Sequence, residues 1–358
     1  MEMDYDQGTP FGRGEIGIDL ADIDRLSGFF GQCQESFPED IDDKIEKNFE
    51  VKSFDESVTS FFMTQCFVPG TRNFLSALSQ LSIAIWAGEV QFHHEFFVEV
   101  MTRRLYNYAN LLSDKINVIS IGDNCISRTL PTRWGYKRPA ILGEKTMPFD
   151  LSTHTLETIV EQISSHFSDY MNPENLEYVQ EADFCVDVKN DIQWSHDRGR
   201  HLAENNFQGL RDLYAKRIDL FYRVIGNGKP IIFILHHIRR VNGAFGAWNG
   251  ETADLLGQLL KGLKPVCGNR FIILVLGGNE TPPSEDFFNF DKGSIQYVHL
   301  PYPFPDDQNW WMPRYYMTKP GLEFERTFMA GLQQCVDQLL GGSRSAVGFS
   351  DVAAGFCP

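Results

Sequence analysis

Apolar residues are grouped in two ways along this chain, and the alternation between the two groupings predicts its fold. Short, nearly unbroken apolar runs occur at Val118 to Ile121, Pro230 to Leu235 (PIIFIL), Phe271 to Leu276 (FIILVL) and Ile295 to Leu300. Their length and β-branched content are those of strands buried on both faces. Between them the apolar positions recur at spacings of three and four. Leu156, Ile159, Val160 and Ile163 predict a helix over 151–166, with Ser152 or Thr153 as N-cap and Glu157 in its first turn. Leu210, Leu213, Tyr214, Ile218, Phe221 and Val224 predict a second over 207–224, ended by Gly226-Asn227-Gly228. Further helices are expected over 252–263 and 323–340. Strands alternating with helices define an α/β domain from about residue 115 to 340: three layers, a mostly parallel, Rossmann-like sheet with helices on both faces. Residues 184–194 read as one or two more strands broken at Lys189-Asn190, with Ser195-His196-Asp197 directly after.

Upstream of this domain the pattern is helical. Phe74, Leu75, Leu78, Leu81 and Ile85, and then Phe96, Phe97, Val100, Met101, Leu105 and Tyr108, predict an N-terminal helical cap over 53–114. Residues 1–52 form an acidic arm, and 341–358 are a tail rich in Gly, Ser and Ala. His93 and His94 are adjacent, so on a helix they point about 100° apart and cannot share a metal.

Composition sharpens this picture at a few points. The 29 Phe predict an aromatic core or a cleft lined with rings. A net charge of −16 argues against nucleic acid as a partner, while the locally basic stretch Arg128 to Lys145 suits an anionic substrate. The seven cysteines are widely spaced and include no CxxC, which predicts neither a disulfide framework nor a zinc site. Free thiols imply a reducing compartment, so a cytoplasmic location is expected. No apolar run reaches the roughly 18–20 residues that span a bilayer. Neither a GxGxxG nor a P-loop is present, and no cofactor or metal is predicted.

The stretch with most chemical content is 116–130, INVISIGDNCISRTL. A strand breaks at Gly122-Asp123-Asn124 and a helix opens at Cys125. That places a thiol at the carboxyl end of a strand and in the first turn of a helix, where unpaired N–H groups and the helix dipole favour a thiolate. His196-Asp197 and His236-His237 also follow strands. On parallel strands these groups would share one rim, giving a thiol nucleophile, a His base and an orienting carboxylate. Neighbours on a regular strand face opposite ways, so Asp197 need not orient His196, and Asp123 or Asp150 could do so instead.

These residues also carry a resemblance. From about Asn117 to Pro301 the chain resembles a mostly bacterial family labelled papain-like cysteine peptidases. The shared features are an apolar strand ending in Gly-x-x-Cys (Gly122, Cys125) with Asp123 after the glycine, an apolar-Asp pair (Phe149-Asp150), His-Asp (His196-Asp197), and a helix with paired basic residues (Lys216-Arg217). Where the family's next strand ends in Arg, this chain has Leu235 and then His236-His237. The resemblance implies Cys125 as nucleophile and His196 as base, with Asp150, Arg217, His236 and His237 as candidate substrate-binding groups. The label implies a Cys on a central helix packed against an antiparallel barrel, whereas the periodicity predicts parallel strands. Ile121-Gly122-Asp123-Asn124 also resembles the Gly-Asp-Ser block of esterases with a flavodoxin-like sheet, but Asn stands in place of their Ser. The first expectation is a cysteine-dependent hydrolase or acyl-transfer enzyme acting on a small-molecule, peptide or glycan substrate. A glycan-related transferase or esterase and a non-catalytic binding module are the alternatives.

Overall fold

The computed structural model describes residues 110–138, 143–237, 248–278, 293–303, 313–316 and 318–341, with 99, 100, 103, 104, 106, 107, 282–284, 287 and 310. The predicted acidic arm, nearly all of the predicted cap, His93, His94 and the tail beyond 341 lie outside the described residues. The chain divides into two compact units, one of 113–131, 145–302 and 324–358, the other of 1–112, 132–144 and 303–323.

The first unit is α/β. Strands β1 (Asn117–Ser120), β5 (Ile231–His237), β6 (Phe271–Gly277) and β7 (Ile295–His299) form a four-stranded sheet in the order β1-β5-β6-β7. Every pairing in it is parallel, with Asn117 opposite Ile231, Ile231 opposite Phe271 and Ile273 opposite Ile295. All seven residues of β6 are buried, as a strand covered on both faces requires. Ile119, Phe233, Ile273 and Val275 face one way, into a core with α2 (Leu156–Ser164), α3 (Glu204–Ile225) and α4 (Gly250–Cys267). On the other face α5 (Lys319–Leu340) comes so close to β7 that a Cβ at Gly331 would overlap Val298 and touch Leu274.

The aromatic residues account for much of this core. Ring centroids lie 5.4 Å apart for Phe149 and Phe167, 5.3 Å for Phe167 and Tyr170, 5.9 Å for Tyr170 and Trp194, and 5.5 Å for Trp194 and Tyr214. They meet edge-on or tilted, the arrangement their quadrupoles favour.

Three expectations need correction. The strand bearing His196 is not part of the parallel sheet. β2 (Leu176–Val179), β3 (Phe184–Asp187) and β4 (Ile192–Arg198) make a separate antiparallel sheet. The break at Lys189-Asn190 is a tight turn, because Asp187 Oδ1 accepts the N–H groups of both residues at 3.0 and 2.9 Å and so reverses the chain. Second, the N-cap of α2 is Thr155, whose Oγ1 accepts from the N–H of Thr158 at 3.2 Å. Thr153 is instead taken into a β-bridge with Gln193. Third, α3 begins with left-handed backbone at Asn205, Asn206 and Phe207, so its regular turns start one residue later than predicted.

The second unit is described in part. Asn107 Nδ2 donates to the Trp134 carbonyl at 2.9 Å, and the buried Arg133 guanidinium lies 3.8 Å from the Tyr316 ring centroid. Gly135 has φ of 80°, and a Cβ there would run into the Arg104 backbone, so a glycine is required on both counts.

Candidate active site

The site is assembled where β1 and β5 run out. Pairing continues past the last residue of β1: Ile121 N–H bonds the Ile234 carbonyl at 2.9 Å, and Asp123 N–H bonds the His236 carbonyl at 3.1 Å. Gly122 sits between these bonds because nothing larger fits. A Cβ would lie 2.7 Å from Ser127 Oγ and 3.0 Å from the His236 nitrogen. Asn124 then starts α1 (Ile126–Arg133) by accepting the Ile126 N–H on Oδ1 at 2.9 Å, and the Cys125 carbonyl receives the N–H groups of Arg128 and Thr129. Gly122→Ala should therefore move this turn. The expected result is a loss of about 1–3 kcal/mol in urea unfolding, as for other overpacked positions, together with altered Cys125 reactivity.

The three predicted carboxylates each have a basic partner, and one of these partners, Arg128, is not a predicted residue. Asp123 Oδ1 lies 3.3 Å from Nδ1 of the buried His236, whose Nε2 is 3.2 Å from the Tyr302 hydroxyl. Asp150 is fully buried. Its Oδ2 accepts the Met147 N–H at 2.8 Å and lies 3.5 Å from Nε of Arg128, one turn beyond Cys125. Asp197 faces away from His196 into the protein. Arg217 grips it with both Nη groups at 2.6 and 2.8 Å, and the Tyr214 hydroxyl donates to it at 2.7 Å. His237 closes β5 opposite Gly277, and its side chain lies outside the described residues.

Although β4 belongs to another sheet, the backbone ties it to the Cys125 turn. Thr153 and Gln193 exchange N–H···O bonds of 2.9 and 3.2 Å, and the next N–H, from His154, bonds the Asp123 carbonyl at 3.2 Å. β4 continues from Gln193 to His196, which is exposed at its outer edge. Cys125 and His196 are not hydrogen-bonded to each other; the positive charge of Arg128 acts on both.

Electrostatics departs from the sequence-based expectation at the thiol. Burial pushes Cys125 up to about 11, and the opposing effects of its own N–H and of Arg128 are too small to reverse this. A helix start favours thiolate only where water or a nearby cation also solvates it. His196 shifts downward, through burial of part of its ring first and then through Arg128 and Arg198 against Asp197. At neutral pH the resting pair is therefore a thiol and a neutral imidazole. Cys125 is the one partly exposed residue among the described cysteines; Cys185, Cys267 and Cys335 are buried.

Sequence reading missed Arg128, His154 and Tyr302. Arg128 was within reach, since position i+3 on a helix lies over the residue that opens it. His154 and Tyr302 carry no local signal. No group of His, Cys, Asp and Glu among the described residues could hold a metal ion.

These features define an α/β domain with a cysteine in the first helical turn after a parallel strand and a histidine on an adjoining antiparallel ribbon. Residues 116–265 match the family model described as "Putative papain-like cysteine peptidase". No curated protein and no solved structure matches the chain.

Proposed function

We propose that the protein is a cysteine-dependent hydrolase or acyl-transfer enzyme with Cys125 as nucleophile and His196 as base. The observation that carries the reading is the position of Cys125, partly exposed at the carboxyl edge of the parallel sheet, within the segment that matches the peptidase family. With a thiol pushed up to about 11, the thiolate is made on demand rather than stored. A bound acyl substrate displaces water, His196 takes the Sγ proton, and Sγ attacks the carbonyl carbon. The imidazolium then gives that proton to the leaving group as its bond to carbon breaks. Water, or another acceptor, cleaves the resulting thioester and regenerates the thiol. N–H groups in the first turn of α1 are the oxyanion donors in this reading. Asp150 supports it indirectly, by holding Arg128 where its charge favours the thiolate.

No helix among the described residues is long and apolar enough to cross a membrane. The four described cysteines are free, which supports action in a reducing compartment.

The test is labelling with a panel of peptidyl and small electrophiles, read site by site by mass spectrometry. Cys125→Ala should abolish labelling at low probe concentration. His196→Ala should slow peptidyl probes near neutral pH by about 100-fold or more, the usual contribution of a general base. For wild type, the iodoacetamide rate at Cys125 should climb through pH 9 towards a midpoint near 11, with no plateau near neutrality. A Cys125 that stays unlabelled until the protein unfolds is a core residue, and the proposal is then wrong.

A further inference from the structure

Beyond Trp194 the register of β4 against β3 shifts, Gln193 standing opposite Val186 but Arg198 opposite Phe184, and exposure then alternates from Ser195 to Arg198. Asp197 turns inward to Arg217, while His196 and Arg198 are exposed together on the other side. Arg198 curls back along its own strand. Its Nε donates to the Ser195 carbonyl at 3.1 Å, which places the guanidinium beside His196. That bond occupies one edge of the group, and among the described residues no carboxylate pairs with the two Nη groups. The carboxylates nearest to it along β4 and β3 are already engaged: Asp197 with Arg217, and Asp183 with the Tyr178 hydroxyl at 2.6 Å. Arg200, two residues further on, shares its surroundings with Asp183 through Tyr178 and is a weaker candidate. A protein of net charge −16 thus presents, among its described residues, a guanidinium with no carboxylate partner next to the histidine of its proposed catalytic pair.

We propose that Arg198 binds a carboxylate of the acyl substrate, so that the bond attacked by Cys125 lies next to an acidic group such as an acidic side chain or a chain terminus. The proposal rests on Cys125 and His196 forming the site described above. A single planar guanidinium with two parallel N–H donors matches a planar monoanion. A phosphate dianion is commonly held by more than one cation. Being exposed, Arg198 can select the substrate without carrying the cost of a buried unpaired charge.

The experiment compares iodoacetate, which carries a carboxylate, with the neutral iodoacetamide at Cys125 in the full chain. Each forms the same C–S bond and releases iodide, with the thiol proton passing to solvent. Wild type should favour iodoacetate by roughly tenfold, the scale of a charge-assisted bidentate pair partly open to water. Arg198→Gln should reverse that ratio, and Arg198→Lys should keep part of it. A ratio unaffected by Arg198→Gln overturns the proposal. A second arm does not use the thiol: succinate should raise the melting temperature of wild type and of Cys125→Ala, but not of Arg198→Gln. If Cys125 resists both reagents in the native protein, the nucleophile reading fails, and the succinate arm still decides whether Arg198 binds a carboxylate. Stabilisation by inorganic phosphate with none by succinate overturns the carboxylate assignment.

Discussion

Asp197→Ala is expected to be among the most destabilising single substitutions in the α/β unit. It removes the partner of Arg217, whose side chain is only 10% exposed, and leaves the Tyr214 hydroxyl without its acceptor. Breaking a buried pair from one side costs about 3–5 kcal/mol, because the remaining charge stays desolvated. The guanidinium also stacks 4.5 Å from the Tyr214 ring centroid, so it cannot turn to water without giving up that contact. Replacing both partners, as in Asp197→Leu with Arg217→Met, should restore much of the loss. Urea unfolding of the two single variants and the double variant checks this. The result also settles what Asp197 does. A stability change under about 1 kcal/mol with loss of peptidyl-probe labelling would make it the orienting carboxylate for His196. A large loss of stability makes it the anchor that fixes β4 and hence the face on which His196 and Arg198 stand.

The parts of this architecture that were legible in the sequence are those written in consecutive residues. PIIFIL and FIILVL read as buried parallel strands because a strand covered on both faces has no polar side to show. The helical spacing of Leu210, Tyr214 and Phe221 was equally plain, and all three are buried. The turn that presents Cys125 was visible because Gly, Asp and Asn are the residues a tight turn needs. What could not be read is which strand pairs with which. The segment 184–198 carries strand-forming residues on both sides of its turn, yet nothing in it says that its partner is Leu176–Val179 rather than β1. The link from β4 to the Cys125 turn consists of two backbone pairings, through Thr153 and His154, and backbone bonds leave no mark on residue identity. The thiol's upward shift was hidden for a related reason. A helix start is local and can be inferred, whereas desolvation depends on everything packed around the group.

His154 should make the protein sensitive to acid. Its ring is completely buried, edge-on to Phe149 at 4.9 Å and stacked on Tyr170, with Nε2 2.8 Å from the Tyr170 hydroxyl. Burial depresses its pKa from 6.5 to about 3, despite the Ser152 carbonyl, which favours the cation. The unfolded chain therefore binds a proton that the folded one refuses between those two values. The stabilisation from keeping His154 neutral is fully present above pH 6.5 and is lost as pH falls through that window to about 3. It amounts to on the order of 5 kcal/mol in all, about 1.4 kcal/mol for each pH unit. In His154→Gln the amide can still reach Tyr170 but cannot titrate, so its stability should fall less steeply by about that slope. The check is the urea unfolding free energy of both proteins from pH 7 to pH 4, and parallel curves would refute the assignment. The consequence reaches the site through the chain itself. The His154 N–H holds the Asp123 carbonyl, two residues before Cys125. Protonating the ring forces it towards water and pulls on that bond, so wild-type Cys125 should become more accessible to alkylation once the pH is brought below about 3, while Cys125 in His154→Gln should not.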